Sequence, residues 1–365
     1  MIRLASRMFP DPSAEGLTAA ALEVRAIDPL ADPEWDRWVS GHPEATPFHR
    51  AAWARVLVRT YGHRPRYLAF LRHRRPVALL PLMEVNSRLT GCRAVCVPFA
   101  DVCAPLIFES LDPRLLLDVV LRLAEAHSWR HVEFRGPSGL PAAAVPSVAF
   151  CAHELDMSPG PDRLLAGFDP AVRRALRKAE REGVRTEIRT DAEAVATFRR
   201  LHARTRRRHG APPQPDRFFD AIREEILAPG HGAVVLASLG GAPAAAAVFF
   251  HSEGRAVYKF GASDERAQSS RANNLAMWRG LQWLASRGAT SLHFGRTSCS
   301  QNGLRRFKRA WGAVESSLPY FKLQPPALHW DRDRDRGAGW HTSVFSRLPL
   351  PVNRLLGAAL YPHLD

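Results

Sequence analysis

The chain has 365 residues and a hydrophobic fraction of 46%, which predicts two domains of ordinary size with packed cores. It has no run of about 18 apolar residues, so no membrane-spanning helix is expected. The first residues include Asp11 and Glu15 and lack the apolar core of a signal peptide. These features indicate a cytoplasmic protein.

The charge balance is strongly basic, with a formal net charge of +15. A partner of negative charge fits this balance: tRNA, a nucleotide-linked precursor or an anionic membrane. Arginines on an ordinary solvated surface give the same net charge, so the charge alone does not choose among these partners.

The cysteines form an odd set without a CxxC pair: Cys92, Cys96, Cys103, Cys151 and Cys299. Free thiols are therefore expected rather than disulfides or a zinc site. We expect no bound metal.

The first half of the chain predicts a compact α+β unit over residues 31–145, after a lead-in over 1–30 with one short strand at 22–26. Pro33 suits the first turn of a helix. The expected elements are a helix from 32, a helix over 48–61, a hairpin of 66–71 with 77–85, a strand at 94–98, a helix over 115–127 and a strand at 131–134. Phe48 and Trp53 are interpreted first as core aromatics.

The second half predicts another α/β unit over residues 146–324, after a stretch at 136–146 that is rich in Gly, Pro and Ala. Gly183 is the expected end of its first helix and Asp191 the expected cap of the next long one. The expected elements are a strand at 150–157, helices over 162–182, 191–209 and 216–227, strands at 184–188, 233–239, 244–251 and 256–261, a helix over 272–287 and a strand at 314–323.

The tail over 325–365 differs from the rest of the chain. It begins with the charge run 331–336, and its later apolar residues are interspersed with Arg347 and Arg354. This composition fits a segment that lies on a membrane surface or binds a partner. Packing of the tail on the second unit explains the same pattern.

The stretch 291–312 is the most informative part of the sequence. A short buried strand ends at Gly295, polar turn residues follow, and a basic helix places Leu304, Phe307 and Trp311 on one face. Such a unit directs a strand end, a loop and a cationic helix at one point, which suits an anionic ligand or a developing oxyanion.

This stretch resembles the C-terminal signature of the FemABX-like proteins, which are acyl- and aminoacyltransferases built from GNAT folds. The residues that carry the resemblance are Gly295-Arg296-Thr297-Ser298, Gly303, Phe307-Lys308 and Trp311-Gly312-Ala313. It is most similar to the FemAB-related proteins of exosortase and exopolysaccharide loci, with a CelD-like acetyltransferase domain. The resemblance implies an α/β (α+β) tandem GNAT fold, with two mixed sheets flanked by helices.

The resemblance also implies two catalytic residues. Lys308 matches the family lysine that stabilises the tetrahedral intermediate, and removal of one such donor typically slows a reaction by about 10²–10³. Asp101 lies in a loop that resembles the family's Asp-Tyr-Gly-Gly-Pro loop, although Val102, Cys103 and Ala104 depart from it. A carboxylate there would orient the acceptor or help to take its proton. The competing interpretations are a solvated lysine and a loop-capping aspartate.

Further residues are expected to contact substrate by the same resemblance. Tyr258 and Arg271 would line the groove, Asn273 and Asn274 would fix the start of a helix, and Arg296 would bind a phosphate or carboxylate. The full predicted set for substrate binding is Tyr258, Lys259, Arg271, Asn274, Arg296, Ser298 and Phe307.

A basic helix face is the predicted docking surface for a phosphate-rich partner. It resembles the family's Arg-x-x-x-Arg-Lys-Ala element, and a solvated surface is the alternative. Its residues are Arg173, Arg174, Arg177, Lys178 and Arg181.

The donor is expected to be a co-substrate, aminoacyl-tRNA or acyl-CoA, and not a tightly bound cofactor. The segment 261–274 has no glycine-rich loop of the form [QR]xxGx[GA], and Asp264 and Glu265 oppose phosphate. That departure favours an aminoacyl-tRNA donor or an unusual acyl donor. The expected acceptor is an amine of a nucleotide- or lipid-linked sugar precursor of the cell envelope or an exopolysaccharide. An acyl-CoA-dependent N-acyltransferase and a non-catalytic GNAT scaffold that binds RNA or membrane are the alternatives.

Overall fold

The computed structural model describes residues 3–4, 22–332 and 340–364 of the chain. The described strands form two sheets. In chain order they are β1 Arg3–Leu4, β2 Glu23–Ile27, β3 Arg64–Pro65, β4 Tyr67–Arg72, β5 Arg75–Leu80, β6 Met83–Ser87, β7 Gly91–Val95, β8 Leu106–Ile107, β9 Val132–Arg135, β10 Val148–Asp156, β11 Arg185–Arg189, β12 Gly232–Leu239, β13 Ala242–Ser252, β14 Arg255–Ser263, β15 Ser291–His293, β16 Val314–Gln324 and β17 His329–Asp331.

The helices flank these sheets. In chain order they are α1 Glu34–Ser40, α2 Ala51–Tyr61, α3 Pro113–Ala126, α4 Pro161–Gly167, α5 Pro170–Arg181, α6 Ala192–Arg208, α7 Asp216–Ile222, α8 Ala272–Ser286, α9 Asn302–Arg309, α10 Trp340–Arg347 and α11 Leu350–Leu360. Short 3₁₀ turns cover Pro47–His49, Glu265–Ser270 and Tyr361–His363, and a π-turn covers Arg223–Leu227.

The first unit divides its strands between the two sheets. The smaller sheet has the order β1-β2-β4-β5-β8, so two strands of the segment expected to be a lead-in, β1 and β2, belong to the sheet of the first unit. The strand expected over 77–85 is two strands, β5 and β6, because Pro81 has no N–H for a sheet ladder and interrupts the pairing. After the interruption, β6 enters the larger sheet.

The larger sheet joins the two units. Its order is β11-β12-β13-β14-β15-β10-β16-β9-β7-β6-β3, with β17 paired to β16. The late strand β16 lies between β10 and β9, and β9 belongs to the first unit. The expectation of two mixed sheets with flanking helices is confirmed, but one of the two sheets is shared by both units.

Apolar packing also crosses between the units. Trp53 of α2 is fully buried, and its ring centroid lies 5.9 Å from those of Phe218 and Phe250 in the second unit. Burial of each such side chain typically stabilises the fold by about 1.5–3 kcal/mol. The interpretation of Phe48 and Trp53 as core aromatics agrees with this packing.

Two helix predictions in the second unit need correction. The helix expected over 162–182 is two helices, because Asp169 caps a new one by accepting from Ala171 N–H at 2.7 Å and Pro170 starts its first turn. On α9, Trp311 is buried just beyond the last turn, but Leu304 is exposed. The apolar face of α9 therefore does not include Leu304 and is shorter than expected.

The tail extends across both units. Helices α10 and α11 pack on α6, while the final turn contacts the first unit. There His63 Nε2 donates to the carbonyl of Pro362 at 3.3 Å, and Ser87 Oγ lies 3.0 Å from His363 Nδ1. The expectation of packing on the second unit alone is thus incomplete. Most of the charge run 331–336 lies outside the described residues. None of the described helices is both long and apolar enough to span a bilayer.

Candidate active site

The loop that carries Asp101 is held in an unusual backbone conformation. Val97 and Phe99 have φ values of 57° and 58°, in the left-handed region that non-glycine residues rarely occupy. Strain of this kind persists where the surroundings fix it, and it concentrates at functional sites.

Side chains from other elements bind the carbonyl groups of this loop. Arg135 Nη1 donates to Ala100 at 2.8 Å and to Val97 at 3.3 Å. Lys259 Nζ donates to Phe99 at 2.5 Å, and Tyr320 Oη donates to Asp101 at 2.5 Å. Two of these donors, Lys259 and Tyr320, belong to the second unit. The position of the first unit's carboxylate therefore depends on the second unit.

The carboxylate of Asp101 is surrounded by positive charge. Burial alone would raise the pKa of Asp101, but the nearby positive charges, first those of Lys259 and Arg296 and also that of Lys308, lower it to about 2. Asp101 is therefore an anion at physiological pH.

Lys259 is positioned by a β-bulge. Val248 of β13 pairs with Phe260 and Phe249 pairs with Tyr258, which leaves Lys259 without an opposite residue. Its ammonium lies 3.5 Å from Asp101 Oδ2 and 4.9 Å from the ring centroid of Phe48. Burial lowers the pKa of Lys259, and the Asp101 carboxylate partly offsets this.

His293 presents a buried donor without a partner. The N–H of Gly295 donates to His293 Nδ1 at 3.0 Å, so the neutral ring carries its proton on Nε2. Nε2 is buried and has no hydrogen-bond partner among the described residues. Burial lowers the pKa of His293, which keeps the ring neutral at pH 7. The site therefore holds a fixed N–H donor that a ligand can use.

The Lys308 side chain is buried, with 3% of the residue exposed. Its Nζ donates to the carbonyl of Gly295 and to Thr297 Oγ1, both at 2.7 Å, and has a longer contact of 3.5 Å to the carbonyl of Arg296. Burial lowers the pKa of Lys308 to about 8, against an opposing effect of Asp101. Lys308 therefore holds the backbone turn at residues 295–297, called the 295–297 corner below, beside His293. It also adds a buried positive charge near Asp101.

Arg296 is the exposed cation of this group. Its guanidinium lies over two rings, 4.7 Å from the centroid of Phe150 and 5.3 Å from that of Tyr320. Among the described residues it forms no ion pair, so it remains available to an anionic ligand.

A cleft of about 490 Å³ lies between the two units beside these residues. His293 lines it, as do Val102 and Ala104 in the loop that carries Asp101. The residues that line it come from both units and include His49, Val102, Ala104, Glu154, His293 and Leu318. A volume of this size accommodates a small substrate or one end of a larger one.

Beside this cleft, two strands separate. The parallel pairing of β14 and β15 covers only residues 255–257 against 291–293, whereas β14 continues to Ser263. The rest of β14 thus has no neighbour on that side in the described sheet.

The structure brings together only part of the predicted substrate set. Lys259 and Arg296 lie near Asp101, but Tyr258 packs between Phe249 and Phe294 on the opposite face of β14 from Lys259. Phe307 packs in the core, with its ring centroid 6.2 Å from that of Trp311. Tyr258 and Phe307 therefore pack against the core but are only half-buried, and their contact with substrate stays a prediction.

Contact of substrate with Arg271, Asn274 and Ser298, the other three residues of the set, stays a prediction. Arg271 is exposed, with φ 59°, and is itself the N-cap of α8, where no side chain caps the helix. Neither Asn273 nor the buried Asn274 therefore fixes the helix start by a side-chain bond. Ser298 Oγ contacts Ser300 Oγ at 2.8 Å within its own loop.

The predicted docking face lies on α5. Val172, Leu176 and Ala179 are buried, and Arg174, Arg177 and Arg181 are exposed on the other side. Arg173 and Lys178, the other two residues of this face, are half-buried. Arg173 donates to the carbonyl of Ala166 at 3.2 Å, and Lys178 pairs with Glu182 at 3.4 Å.

Several residues of the site were missed from the sequence. For the segments that contain His293, Thr297 and Tyr320, the sequence predicts only a strand or a turn. A histidine in a short buried strand immediately before Gly295 was the available signal, since a buried imidazole needs hydrogen-bond partners. Nothing in the local sequence indicates a role for Arg135 or Tyr320 in the site, because the loop that they bind is distant from both in sequence.

Comparison with known proteins supports the fold. Residues 168–309 match the family model of the acetyltransferase (GNAT) domain. FemX superposes with a TM-score of 0.65 at 16% identity, over 82% of this chain and 96% of that one.

Two further solved structures are similar over most of their length. A tandem GNAT protein from the clavulanic acid biosynthesis pathway gives a TM-score of 0.55 at 14% identity, over 84% of this chain and 99% of the other. L-PGS from Bacillus licheniformis gives 0.52 at 14% identity, over 90% and 96%. No curated protein matches this sequence.

Proposed function

We propose that this chain, whose fold is the FemABX-like tandem GNAT fold, is an acyltransferase that moves an aminoacyl or acyl group to an amine acceptor. The observation that carries the proposal is the convergence of Asp101 from the first unit with Lys259, His293 and Lys308 from the second, beside one cleft. The acceptor that fits the proposal is a nucleotide- or lipid-linked sugar precursor of the cell envelope or an exopolysaccharide.

In this proposal, Asp101 binds and orients the acceptor amine. Its carboxylate is ionised at physiological pH and accepts hydrogen bonds from an amine or ammonium group. With a pKa of about 2, Asp101 is a weak base, so its role is to orient the amine rather than to retain a proton. Attack forms a C–N bond and breaks the ester C–O or thioester C–S bond. The amine proton is finally carried by the released hydroxyl or thiol.

In this proposal, His293 and Lys308 stabilise the oxyanion of the tetrahedral intermediate. The Nε2–H of His293 is a fixed donor at the cleft wall that no protein group uses in the described structure. Lys308 fixes the 295–297 corner and contributes a buried charge. A preorganised donor and a cation in a poorly solvated site stabilise such charge without rearrangement.

The donor we favour is an aminoacyl-tRNA. A 3₁₀ turn at Glu265–Ser270 precedes α8, and Asp264 caps it by accepting from Arg266 N–H at 2.9 Å. This acidic turn occupies the place where a glycine-rich loop would bind a pyrophosphate. The exposed arginines of α5 would then bind the tRNA backbone.

An acyl-CoA donor is the second candidate. The separation of β14 from β15 after Val257 leaves strand backbone open on one side, which suits an extended thioester arm. A third possibility, a non-catalytic scaffold that binds RNA or membrane, predicts partner binding without turnover.

A donor screen tests the proposal. The protein would be incubated with a mixture of charged tRNAs or with acyl-CoAs, together with amino-sugar acceptors, and release of free tRNA or free thiol measured. We expect acceptor-dependent turnover with one donor class and at least about a 10²-fold loss in the Asp101→Asn variant. Binding of tRNA with no turnover, unchanged by that substitution, would support the scaffold instead.

A further inference from the structure

Helix α11 exposes its apolar side. Val352, Leu355, Leu356 and Ala359 are all exposed and follow the spacing i, i+3, i+4, i+7, which places them in one stripe. Leu355 is 72% exposed. A helix on the surface of a globular protein normally directs such a stripe toward the core. Here the stripe points outward.

The inward side of α11 explains this orientation. Asn353 is fully buried and donates to the carbonyl of Phe345 at 3.2 Å. Gly357 lies so close to the backbone of Pro213 that a Cβ there would be 2.1 Å from its carbonyl oxygen. The helix is thus anchored by a buried amide and a close backbone approach, and it cannot rotate its leucines inward without losing both.

Two more apolar side chains are exposed where the chain ends after this helix. The turn that carries Leu89 contacts the end of the chain, where Thr90 Oγ1 donates to the carbonyl of His363 at 3.3 Å. Leu89 is 69% exposed and Leu364 is also exposed. The apolar stripe of α11 together with Leu89 and Leu364 is called the tail face below.

The charge around the tail face is positive. Residues 337–364 contain Arg347 and Arg354 but no Asp or Glu. Arg347 and Arg88 are exposed and pair with no carboxylate in the part of the chain that the structure describes, whereas Arg354 pairs with Asp216. Leucines flanked by arginines suit an interface where apolar chains and anionic headgroups meet.

We infer that the tail face docks on an anionic lipid bilayer. Leu355, Leu356 and Leu89 would enter the acyl boundary, and Arg88 and Arg347 would bind headgroup phosphates. A second copy of the chain is a poorer occupant. A twofold contact would place the same basic residues opposite each other, and the only acidic residue of the sequence after residue 335 is Asp365. The inference concerns a surface apart from the cleft and goes beyond the proposed function.

Vesicle sedimentation tests the inference on the full chain. Vesicles of equal parts phosphatidylglycerol and phosphatidylcholine are expected to bind the protein, and binding should weaken at high salt and with phosphatidylcholine alone. The double variant Leu355→Asp/Leu356→Asp should lower the affinity at least about tenfold, since it removes apolar contacts and adds like charge toward the lipid. Both side chains are exposed, so folding should be unchanged, which a thermal melt checks.

The matched control is Val314→Asp/Leu328→Asp, which adds two charges at other exposed apolar residues, 72% and 50% exposed and outside the tail face. It should bind vesicles like the unmodified chain. Equal loss in the control, or undiminished binding by the double variant, would overturn the inference. A dimer in light scattering that dissociates in the double variant would also overturn it, in favour of a second copy. None of these readouts depends on acyl transfer, so they are separate from the test of the proposed function.

Discussion

The carboxylate of Asp101 lies 3.5 Å from the ammonium of Lys259, and this ion pair joins the first unit to the second. Both groups also have a second attachment across the same boundary. Tyr320 donates to the Asp101 carbonyl, and Lys259 donates to the carbonyl of Phe99. The position of the Asp101 carboxylate next to the cleft therefore depends on contacts made by both units.

The ion pair predicts unequal effects of single and double substitutions. Asp101→Asn leaves the buried Lys259 ammonium without its counter-charge, which typically costs about 3–5 kcal/mol for a fully buried pair and less here because Asp101 is partly exposed. Asp101→Asn/Lys259→Met should recover part of that loss. Urea denaturation of both variants and of Lys259→Met measures the coupling. Strictly additive free energies of unfolding would contradict the prediction.

From the lowered pKa of Lys308 we predict that activity and stability change with pH in opposite directions. Its pKa is lowered by burial from 10.5 to about 8, so it is a cation below pH 8 and neutral above. If the cation stabilises the oxyanion, kcat falls as pH rises through 8. The unfolded chain binds more protons at this site between pH 8 and 10.5, so the free energy of unfolding should rise there, by at most about 3 kcal/mol.

Lys308→Met serves as the control for both profiles. It should lose about 10²–10³ in kcat and show no inflection near pH 8. If the inflection near pH 8 persisted in this variant, it would come from the titration of another group. Asp101 is not the source, because its pKa of about 2 keeps it ionised throughout this range.

His293 predicts different consequences for two conservative substitutions. His293→Asn retains an acceptor for the N–H of Gly295 but removes the Nε2 donor, so we expect nearly unchanged stability and a loss of about 10²–10³ in kcat. His293→Gln can place a donor near the Nε2 position but leaves Gly295 unpaired, at a cost of about 1 kcal/mol or more. Denaturation and initial-rate measurements on both variants separate the two roles. Full activity in His293→Asn would exclude the donor role.

The sequence predicted local structure well where local signals exist. The three strands of the second unit, β12 to β14, follow from alternating apolar residues and glycine turns, and their predicted positions agree with the structure. The pairing of β16 with β9 could not be predicted, because it joins segments far apart in the chain. The Asp169-Pro170 pair that divides the helix over 162–182 was visible in the sequence, but the continuous helical pattern obscured it.

The site was predictable only in part for the same reason. Asp101, Lys259, Arg296 and Lys308 were singled out by resemblance, and the structure places them near one another. The partners of Lys308 were not foreseen, because they depend on how the 295–297 corner folds back. Tyr258 and Lys259 are neighbours in sequence on a strand, so their side chains point to opposite faces. That alternation argued against placing both in one groove.

The cysteines predict selective thiol chemistry. Cys299 is exposed, whereas burial raises the pKa of Cys96 and Cys103 and raises that of Cys151 to about 11. A thiol reagent should therefore label Cys299 first in the native protein, and Cys299→Ser should abolish the fast phase.

From the short distance between Cys151 and Cys299 we predict a specific cross-link. Cys151 Sγ and Cys299 Sγ are 2.8 Å apart, close enough for a disulfide to form with a small shift. Diamide should oxidise this pair, each thiol giving one hydrogen to the azo group. Mass spectrometry of the digested protein would identify the linked peptides. A cross-link between other cysteines would contradict the geometry.

The exposed arginines of α5 predict salt-dependent RNA binding. Replacement of Arg174, Arg177 and Arg181 by Glu removes three cations from one side of the helix, while Val172 and Leu176 on the other side keep their packing. If this side binds the tRNA backbone, affinity should fall for all tRNAs alike, and the slope of log K against log salt should decrease by about 3. The matched control is Arg88→Glu with Arg114→Glu and Arg347→Glu, three exposed arginines whose replacement lowers the net charge by the same amount elsewhere. Equal effects of the two sets would mean that total charge, and not α5, determines RNA binding.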